Sequence, residues 1–248
     1  MVDDRSERKP RRLFLRRIHR RPLKYVAIFP AMITLLNGIS GFASLMFASK
    51  AAETIAAGGD GDRYFMFAAY MIMVAMIADM LDGRVARMSR TTSSFGGQLD
   101  SLCDVISFGA APAFLAVRLL AYRLTAVEAA EPHIVVFLHR IIWLAGAVYI
   151  GCAAIRLARF NVENEEDETA HMVFSGLPSP AAAGVIMSMV ILYVSLPAER
   201  WLPEIVSDWG RYMIVVLLPA AVIATGLLMV SRFRYPHVLN QVLRGKKP

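Results

Sequence analysis

Six long apolar stretches dominate the pattern of hydrophobic and polar positions along the chain. Each is close to the roughly 20 residues that a helix needs to cross a bilayer. Charged residues are gathered between and beyond these stretches, so the pattern predicts an all-α, polytopic membrane protein with six transmembrane helices in a bundle. The predicted spans are about 25–49, 64–87, 96–122, 134–158, 178–197 and 212–231.

The composition supports a membrane protein with little mass outside the bilayer. Of 248 residues, 56% are hydrophobic and only 19% are charged, whereas about a quarter are charged in a typical soluble domain. We divide the chain into a basic N-terminal segment (1–24), a membrane domain (25–231) and a basic tail (232–248). The N-terminal segment is either a short amphipathic helix in the interface or a disordered basic arm.

The distribution of positive charge predicts the orientation. Lys and Arg are concentrated in the two terminal segments and around the connections 88–95 and 159–177. By the positive-inside rule, both termini and these two connections face the cytoplasm, in a multi-pass protein of the cytoplasmic membrane. The formal net charge of +7 indicates contact with anionic membrane lipids. It does not indicate nucleic acid, because no nucleic-acid recognition motif accompanies it.

Four aspartates in the second and third spans are the main candidates for chemistry. Asp79 and Asp82 are three residues apart, and Asp100 and Asp104 are four apart. On a helix, each pair lies on one face. The short polar link between the spans predicts a helical hairpin, with the four carboxylates facing one another near the cytoplasmic end and the active site on that side.

Carboxylates within a membrane need compensation, because each costs about 2.5–3.5 kcal/mol at the bilayer centre on insertion scales. Mg²⁺ or Mn²⁺ would provide it, since both prefer carboxylate oxygens and keep positions open for phosphate. Two such ions can clamp the attacking and leaving oxygens of an in-line displacement at phosphorus. A divalent-cation transporter is the rival class, but its acids would be expected near the midplane on interrupted helices.

Small and basic residues beside the acids fit a nucleotide. Gly83 and Gly96 leave space for close approach to the backbone, and the fork of Arg87 suits a phosphate or a pyrimidine edge. The alternatives are that the glycines serve helix packing and that Arg87 anchors the helix end at the membrane surface.

The complete pattern, D-x2-D-G-x2-A-R-x8-G-x3-D-x3-D from Asp79 to Asp104, is similar to the signature of the CDP-alcohol phosphotransferase family. The resemblance implies a six-helix bundle, a homodimer and two Mg²⁺ or Mn²⁺ ions. It also implies that the enzyme transfers a phosphatidyl group from a CDP-lipid to an alcohol, with Asp104 as the general base. By the same resemblance the metal ligands are Asp79, Asp82, Asp100 and Asp104, and the CDP contacts are Asp82, Gly83, Ala86, Arg87 and Gly96.

Outside the signature, the chain resembles the phosphatidylserine synthase branch. The resemblance rests on Thr34-x2-Asn37, on the stretch 105–112 and on the stretch 174–180. It implies CDP-diacylglycerol and L-serine as substrates, in phospholipid biosynthesis, with Thr34 and Asn37 as further CDP contacts. Glycerol 3-phosphate and inositol phosphate remain alternative acceptors.

Serine would need a cation for its carboxylate and acceptors for its ammonium group. Arg156 and Arg159 are three residues apart and can supply the cation, while Asn161 can bind the amino group. The alternative is that both arginines only anchor the helix end. The acidic residues of 163–168 are interpreted as a solvated turn.

Overall fold

The computed structural model describes residues 28–89, 94–128, 132–166, 176–198 and 203–231, and this part of the chain is helical without any strand. The predicted segments 1–24 and 232–248 lie outside the described residues. The helices are α1 (Ile28–Ala56), α2 (Asp62–Ser89), α3 (Ser94–Asp104), α4 (Ala111–Glu128), α5 (Pro132–Glu166), α6 (Ser179–Ser195) and α7 (Glu204–Val230).

A π-helical turn, Val105–Ala110, joins α3 to α4 without a break. The Ala111 amide donates to the Ile106 carbonyl, five residues earlier, in place of the usual four. The Tyr149 hydroxyl of α5 donates to the Phe108 carbonyl at 3.1 Å. The third predicted span is therefore one continuous segment made of α3, the π turn and α4.

The lengths of the helices agree with a multi-pass membrane protein. Within the described chain, five helical segments are long and apolar enough to cross a bilayer, and the apolar helix α6 is shorter, at 17 residues. The predicted all-α membrane bundle is confirmed, whereas six spans stay a prediction, because α6 falls below the length of a typical span. At the other extreme, α5 continues to Glu166, so the first part of the predicted acidic turn is helical.

Small residues at the helix contacts allow close packing. Ala48, Ala51, Ala68 and Ala75 are fully buried between α1 and its neighbours, as expected where helices associate without water to drive them together. Large apolar side chains such as Met32 and Phe42 are exposed instead, which suits a lipid-facing surface.

The position of α1 decides how the acids are arranged. It packs along α2 and also against α3 and the π turn. Gly41 makes this approach possible, because a Cβ there would lie 2.7 Å from the Ser107 Cα and would also collide with the Ser107 Oγ. The two acid-bearing helices are therefore held together by a third helix that contacts both.

The connections are fixed by local hydrogen bonds. The Asp60 carboxylate accepts from the Asp62 amide at 2.9 Å, at the first turn of α2. Gly176 has a φ of +87° and lies so close to the Met229 carbonyl that a side chain would collide with it. The next amide, of Leu177, donates to the Leu228 carbonyl at 3.0 Å, which ties the start of α6 to the end of α7.

Candidate active site

Three of the four predicted aspartates form a cluster. One oxygen from each of Asp79, Asp82 and Asp100 lies within 4.8 Å of the other two. Asp82 is buried, at 6% exposure, and Asp79 and Asp100 are half-buried. The i,i+3 spacing on α2 thus places two carboxylates on one face, opposite Asp100 of α3.

Asp104 lies one turn further along α3 and is buried, at 8% exposure. It is outside the group of three, because its position is set by a different contact. The Asn37 Nδ2 donates to the Asp104 Oδ1 at 2.9 Å, and this bond directs one carboxylate oxygen toward α1.

Helix α1 contacts both acid pairs through residues three apart. Thr34 hydrogen-bonds the Asp82 carboxylate on α2, and Asn37 bonds Asp104 on α3. The sequence predicts both α1 residues as contacts of the nucleotide. In the structure, they support the carboxylates.

The Asn37 backbone is itself supported from the π turn. The Ser107 Oγ donates to the Asn37 carbonyl at 2.9 Å, and Ser107 is fully buried. Sequence reasoning missed this residue, and also Gly41, which allows Ser107 to approach. The sequence does show a small residue in each of the two apolar spans, Gly41 and Ser107. It does not show that these two residues contact each other.

The donor set of the cluster fits a hard divalent cation. The Asp82 Oδ2 and the Asp100 Oδ1 are buried and have no hydrogen-bond partner in the described chain. No Lys or Arg of the described residues forms an ion pair with Asp79, Asp82 or Asp100. Carboxylate oxygens that converge within 4.8 Å, from a group in which two residues have an unpartnered oxygen, are what Mg²⁺ or Mn²⁺ prefers as ligands.

Of the two glycines predicted to contact the nucleotide, Gly83 borders open space. A Cβ built on Gly83, next to Asp82, meets nothing within 4 Å. Gly96 is half-buried in the first turn of α3. Ala86 and Arg87 belong to the last turns of α2, but their side chains are outside what the structure describes.

The residues predicted to bind serine lie on the last turns of α5. Arg156 is half-buried, donates to the Ser179 Oγ at 3.0 Å and interacts electrostatically with Asp104. Asn161 accepts from the Ser101 Oγ at 3.0 Å. Arg159, one turn after Arg156 on the same helix, is half-buried.

A cleft of about 320 Å³ opens between α3 and α5, and no aspartate of the cluster lines it. Ser101, the neighbour of Asp100 in the chain, lies in its wall together with Asn161. The remaining lining combines one more polar residue with an apolar wall: Gln98, Leu102, Val105, Ala154, Leu157 and Ala158.

Comparison with known proteins agrees with the geometry. The family model described as CDP-alcohol phosphatidyltransferase matches residues 27–232. One relative, named CDP-diacylglycerol–serine O-phosphatidyltransferase, comes from Helicobacter pylori strain 26695. It is 32% identical over 87% of this chain and 75% of the relative. Another, in Methanocaldococcus jannaschii, is 30% identical over 85% of this chain and 74% of the relative.

A third relative with the same name, from Saccharomyces cerevisiae, is 33% identical over 63% of this chain and 51% of its own length. The matched regions of the family model include all of the described helices. This multi-pass membrane protein is therefore an enzyme of the CDP-alcohol phosphatidyltransferase family.

Proposed function

We propose that the protein transfers the phosphatidyl group of CDP-diacylglycerol to L-serine, releasing CMP, as a step of phospholipid biosynthesis. The observation that carries the proposal is the convergence of Asp79, Asp82 and Asp100, with Asp104 one turn further along α3. The names of the relatives support serine as the acceptor.

Asp79, Asp82, Asp100 and Asp104 would hold two divalent ions, Mg²⁺ or Mn²⁺. When bound, such ions neutralise charge on the phosphate groups and make a nearby hydroxyl more acidic. The unpartnered oxygens of Asp82 and Asp100 support their assignment as ligands, and Thr34 keeps Asp82 oriented.

In the reaction, the serine hydroxyl oxygen bonds to the phosphorus that carries the diacylglycerol. The bond from that phosphorus to CMP breaks, and the hydroxyl proton passes to Asp104. Because the Asp104 Oδ1 already accepts from Asn37, we assign the proton to Oδ2. A positioned base of this kind contributes about 10²- to 10⁴-fold to the rate.

The nucleotide would lie over the open space at Gly83, with Asp82, Ala86, Arg87 and Gly96 as its other contacts. The absence of any atom within 4 Å of a Cβ at Gly83 supports close approach of a ligand to α2 there. The diacylglycerol tails would stay in the bilayer, so the donor enters from the membrane side.

Serine would bind between the acids and the last turns of α5. Arg156 is close enough to Asp104 to interact with it, so a carboxylate held by Arg156 and Arg159 brings the serine hydroxyl near the base. Asn161 and Ser101, already hydrogen-bonded to each other, offer oxygens to the ammonium group.

We place the site and both termini on the cytoplasmic side of the cell membrane, because in the sequence basic stretches precede α1 and follow α7, and Asn37 near the start of α1 contacts Asp104. We also propose a homodimer. On α5, the side chains of Trp143 and Leu144 are 65% and 63% exposed. They offer an apolar surface for a second copy of the chain.

The decisive experiment measures CMP release by the purified protein with CDP-diacylglycerol and Mg²⁺ or Mn²⁺. L-Serine, glycerol 3-phosphate and inositol phosphate are supplied in parallel. We expect release only with serine, and its loss in Asp104→Asn. Release of CMP with another acceptor would support the transferase reaction but would contradict serine as the acceptor.

The acceptor site has its own test. Arg156→Gln and Asn161→Ala should each raise the KM for serine about ten-fold, the effect of losing one hydrogen bond to a charged group, while the KM for CDP-diacylglycerol stays unchanged. Arg140→Gln, an exposed arginine near the other end of α5, is the matched control. Unchanged serine KM in both variants would move the serine site elsewhere.

A further inference from the structure

Two arginines pack against one buried tyrosine at the end of the bundle opposite the acids. The guanidinium carbons of Arg123 (α4) and Arg211 (α7) lie 4.7 and 4.4 Å from the ring centre of Tyr193 (α6). We call these three residues the Arg–Tyr cluster. Tyr193 is completely buried.

Polar atoms of the cluster lack partners. Within the described chain, the Tyr193 hydroxyl and the Nε atoms of Arg123 and Arg211 are buried and make no hydrogen bond. Leaving such a donor unpaired costs about 1–3 kcal/mol. Three donors on three different helices, unpaired within the described residues, indicate a site for an acceptor.

The cluster is far from the catalytic acids. Arg123 follows Asp104 by 19 residues in the same continuous helical segment, which corresponds to about 28 Å along the axis. The hydrocarbon core of a bilayer is about 30 Å thick. The Arg–Tyr cluster therefore lies at the opposite membrane face, separate from the site that binds the substrates.

The charges of the cluster favour an anion. Arg211 forms an ion pair with Asp62 of α2 at 2.8 Å, and Asp62 and exposed Asp208 each attract Arg123 more weakly than Arg211 repels it. Arg123 has no carboxylate within ion-pair distance in the part of the chain that is described, and it is repelled by Arg211. An anion between the two guanidinium groups would remove this repulsion.

We propose that Arg123, Tyr193 and Arg211 bind the phosphate group of an anionic phospholipid in the leaflet opposite the active site. Arginine forks match phosphate oxygens in pairs, and the tyrosine hydroxyl donates a further hydrogen bond. A lipid headgroup and a soluble phosphate ester share this chemistry. The position at the membrane face favours the lipid.

The test is native mass spectrometry of the purified full-length protein, titrated with phosphatidylglycerol or phosphatidylcholine. We expect phosphatidylglycerol to bind more tightly than phosphatidylcholine. Arg123→Gln should weaken phosphatidylglycerol binding about ten-fold, since it removes hydrogen bonds to a charged group. Tyr193→Phe keeps the ring and removes only the hydroxyl, so its effect should be smaller but in the same direction.

The matched control is Arg63→Gln, because Arg63 is an exposed arginine at the same end of the bundle that packs on Tyr64 instead. Its phosphatidylglycerol affinity should equal that of the unmodified protein. Equal affinities in Arg123→Gln, Tyr193→Phe and the unmodified protein would overturn the proposal, and so would equal binding of the two lipids.

A competition arm separates the two sources of phosphate. Glycerol 3-phosphate at millimolar concentration should leave the bound lipid in place if the occupant is a headgroup embedded in the membrane. Its displacement of the lipid in the unmodified protein, without effect in Arg123→Gln, would assign the cluster to a soluble phosphate ester. The measurement is independent of CMP release, so its failure would leave the proposed transferase function standing.

Discussion

The two ends of the bundle handle buried charge in opposite ways. At one end, Asp79, Asp82 and Asp100 converge with no basic partner among the described residues. At the other end, Asp62 is paired with Arg211 at 2.8 Å, while Arg123 has no ion-pair partner among the described residues and packs on an aromatic ring. Charges that are paired within the chain stabilise the bundle, whereas charges left unpaired are available to bind ions and substrates.

The difference predicts a separation of effects on activity and stability. Substitutions of the clustered aspartates should abolish activity with little loss of stability, because removing a carboxylate there relieves repulsion. Substitutions at the opposite end should reduce stability with little loss of activity. The following predictions test this contrast, from the largest expected effect to the smallest.

Asp100→Asn should reduce CMP release by about 10³-fold, within the range expected when a catalytic ion site is lost. Its melting temperature without added metal should be equal to or above that of the unmodified protein. Calorimetric titration with Mn²⁺ should show weaker binding. Normal Mn²⁺ affinity together with lost activity would contradict the assignment of Asp100 as a ligand.

Asn37→Ala should lower kcat about ten-fold, because Asp104 loses the hydrogen bond that orients it. The KM for CDP-diacylglycerol should stay constant, since the structure shows Asn37 bonded to Asp104. Steady-state CMP release at varied donor concentration measures both. A raised KM with unchanged kcat would restore the role predicted from the sequence, a direct contact with CDP.

Gly41→Ala and Gly83→Ala form a matched pair of glycine substitutions in two neighbouring helices. Gly41→Ala should destabilise the protein by about 1–3 kcal/mol, because the new methyl group collides with Ser107. Gly83→Ala should leave the melting temperature unchanged or higher, since the methyl group enters open space.

In activity, Gly83→Ala should have the larger effect of the two substitutions. We expect Gly83→Ala to raise the KM for CDP-diacylglycerol by limiting approach to the backbone. Thermal unfolding followed by circular dichroism, with CMP release on the same samples, measures both properties. Full activity of Gly83→Ala would remove Gly83 from the nucleotide site.

Asp62→Asn should have the smallest effect, a loss of about 1 kcal/mol in unfolding free energy, as expected for a partly exposed ion pair. Its CMP release should equal that of the unmodified protein. Asp60→Asn is a useful comparison, because Asp60 is exposed and accepts a hydrogen bond from the Asp62 amide. A large loss of activity in Asp62→Asn would show that the two ends are coupled.

Much of the fold could be predicted from the sequence, because apolar stretches of about 20 residues have few alternatives in a membrane. The grouping of Asp79 and Asp82 with Asp100 was likewise predictable from helical spacing. The role of α1 could not be predicted from the sequence. The sequence predicts a hairpin of the two acid-bearing spans, but it does not show that Thr34 and Asn37 would bridge them.

The remaining differences also have physical causes. Polarity alone predicts a turn for the acidic residues after Asn161, yet α5 continues to Glu166, since Glu is a good helix former. The Arg–Tyr cluster was missed because Arg123, Tyr193 and Arg211 lie far apart in the chain. Only the packing of α4, α6 and α7 brings them together.

The π-helical turn Val105–Ala110 changes the direction in which side chains point after the turn, relative to those before it. Each residue of an α-helix advances the side-chain direction by about 100°, so one additional residue in a turn rotates everything beyond it by that angle. Deleting a single residue within the turn would leave Asp100 and Asp104 in place and rotate Arg123 away from Tyr193. The turn thus acts as an angular offset between the catalytic half of the helix and the half that faces the opposite leaflet.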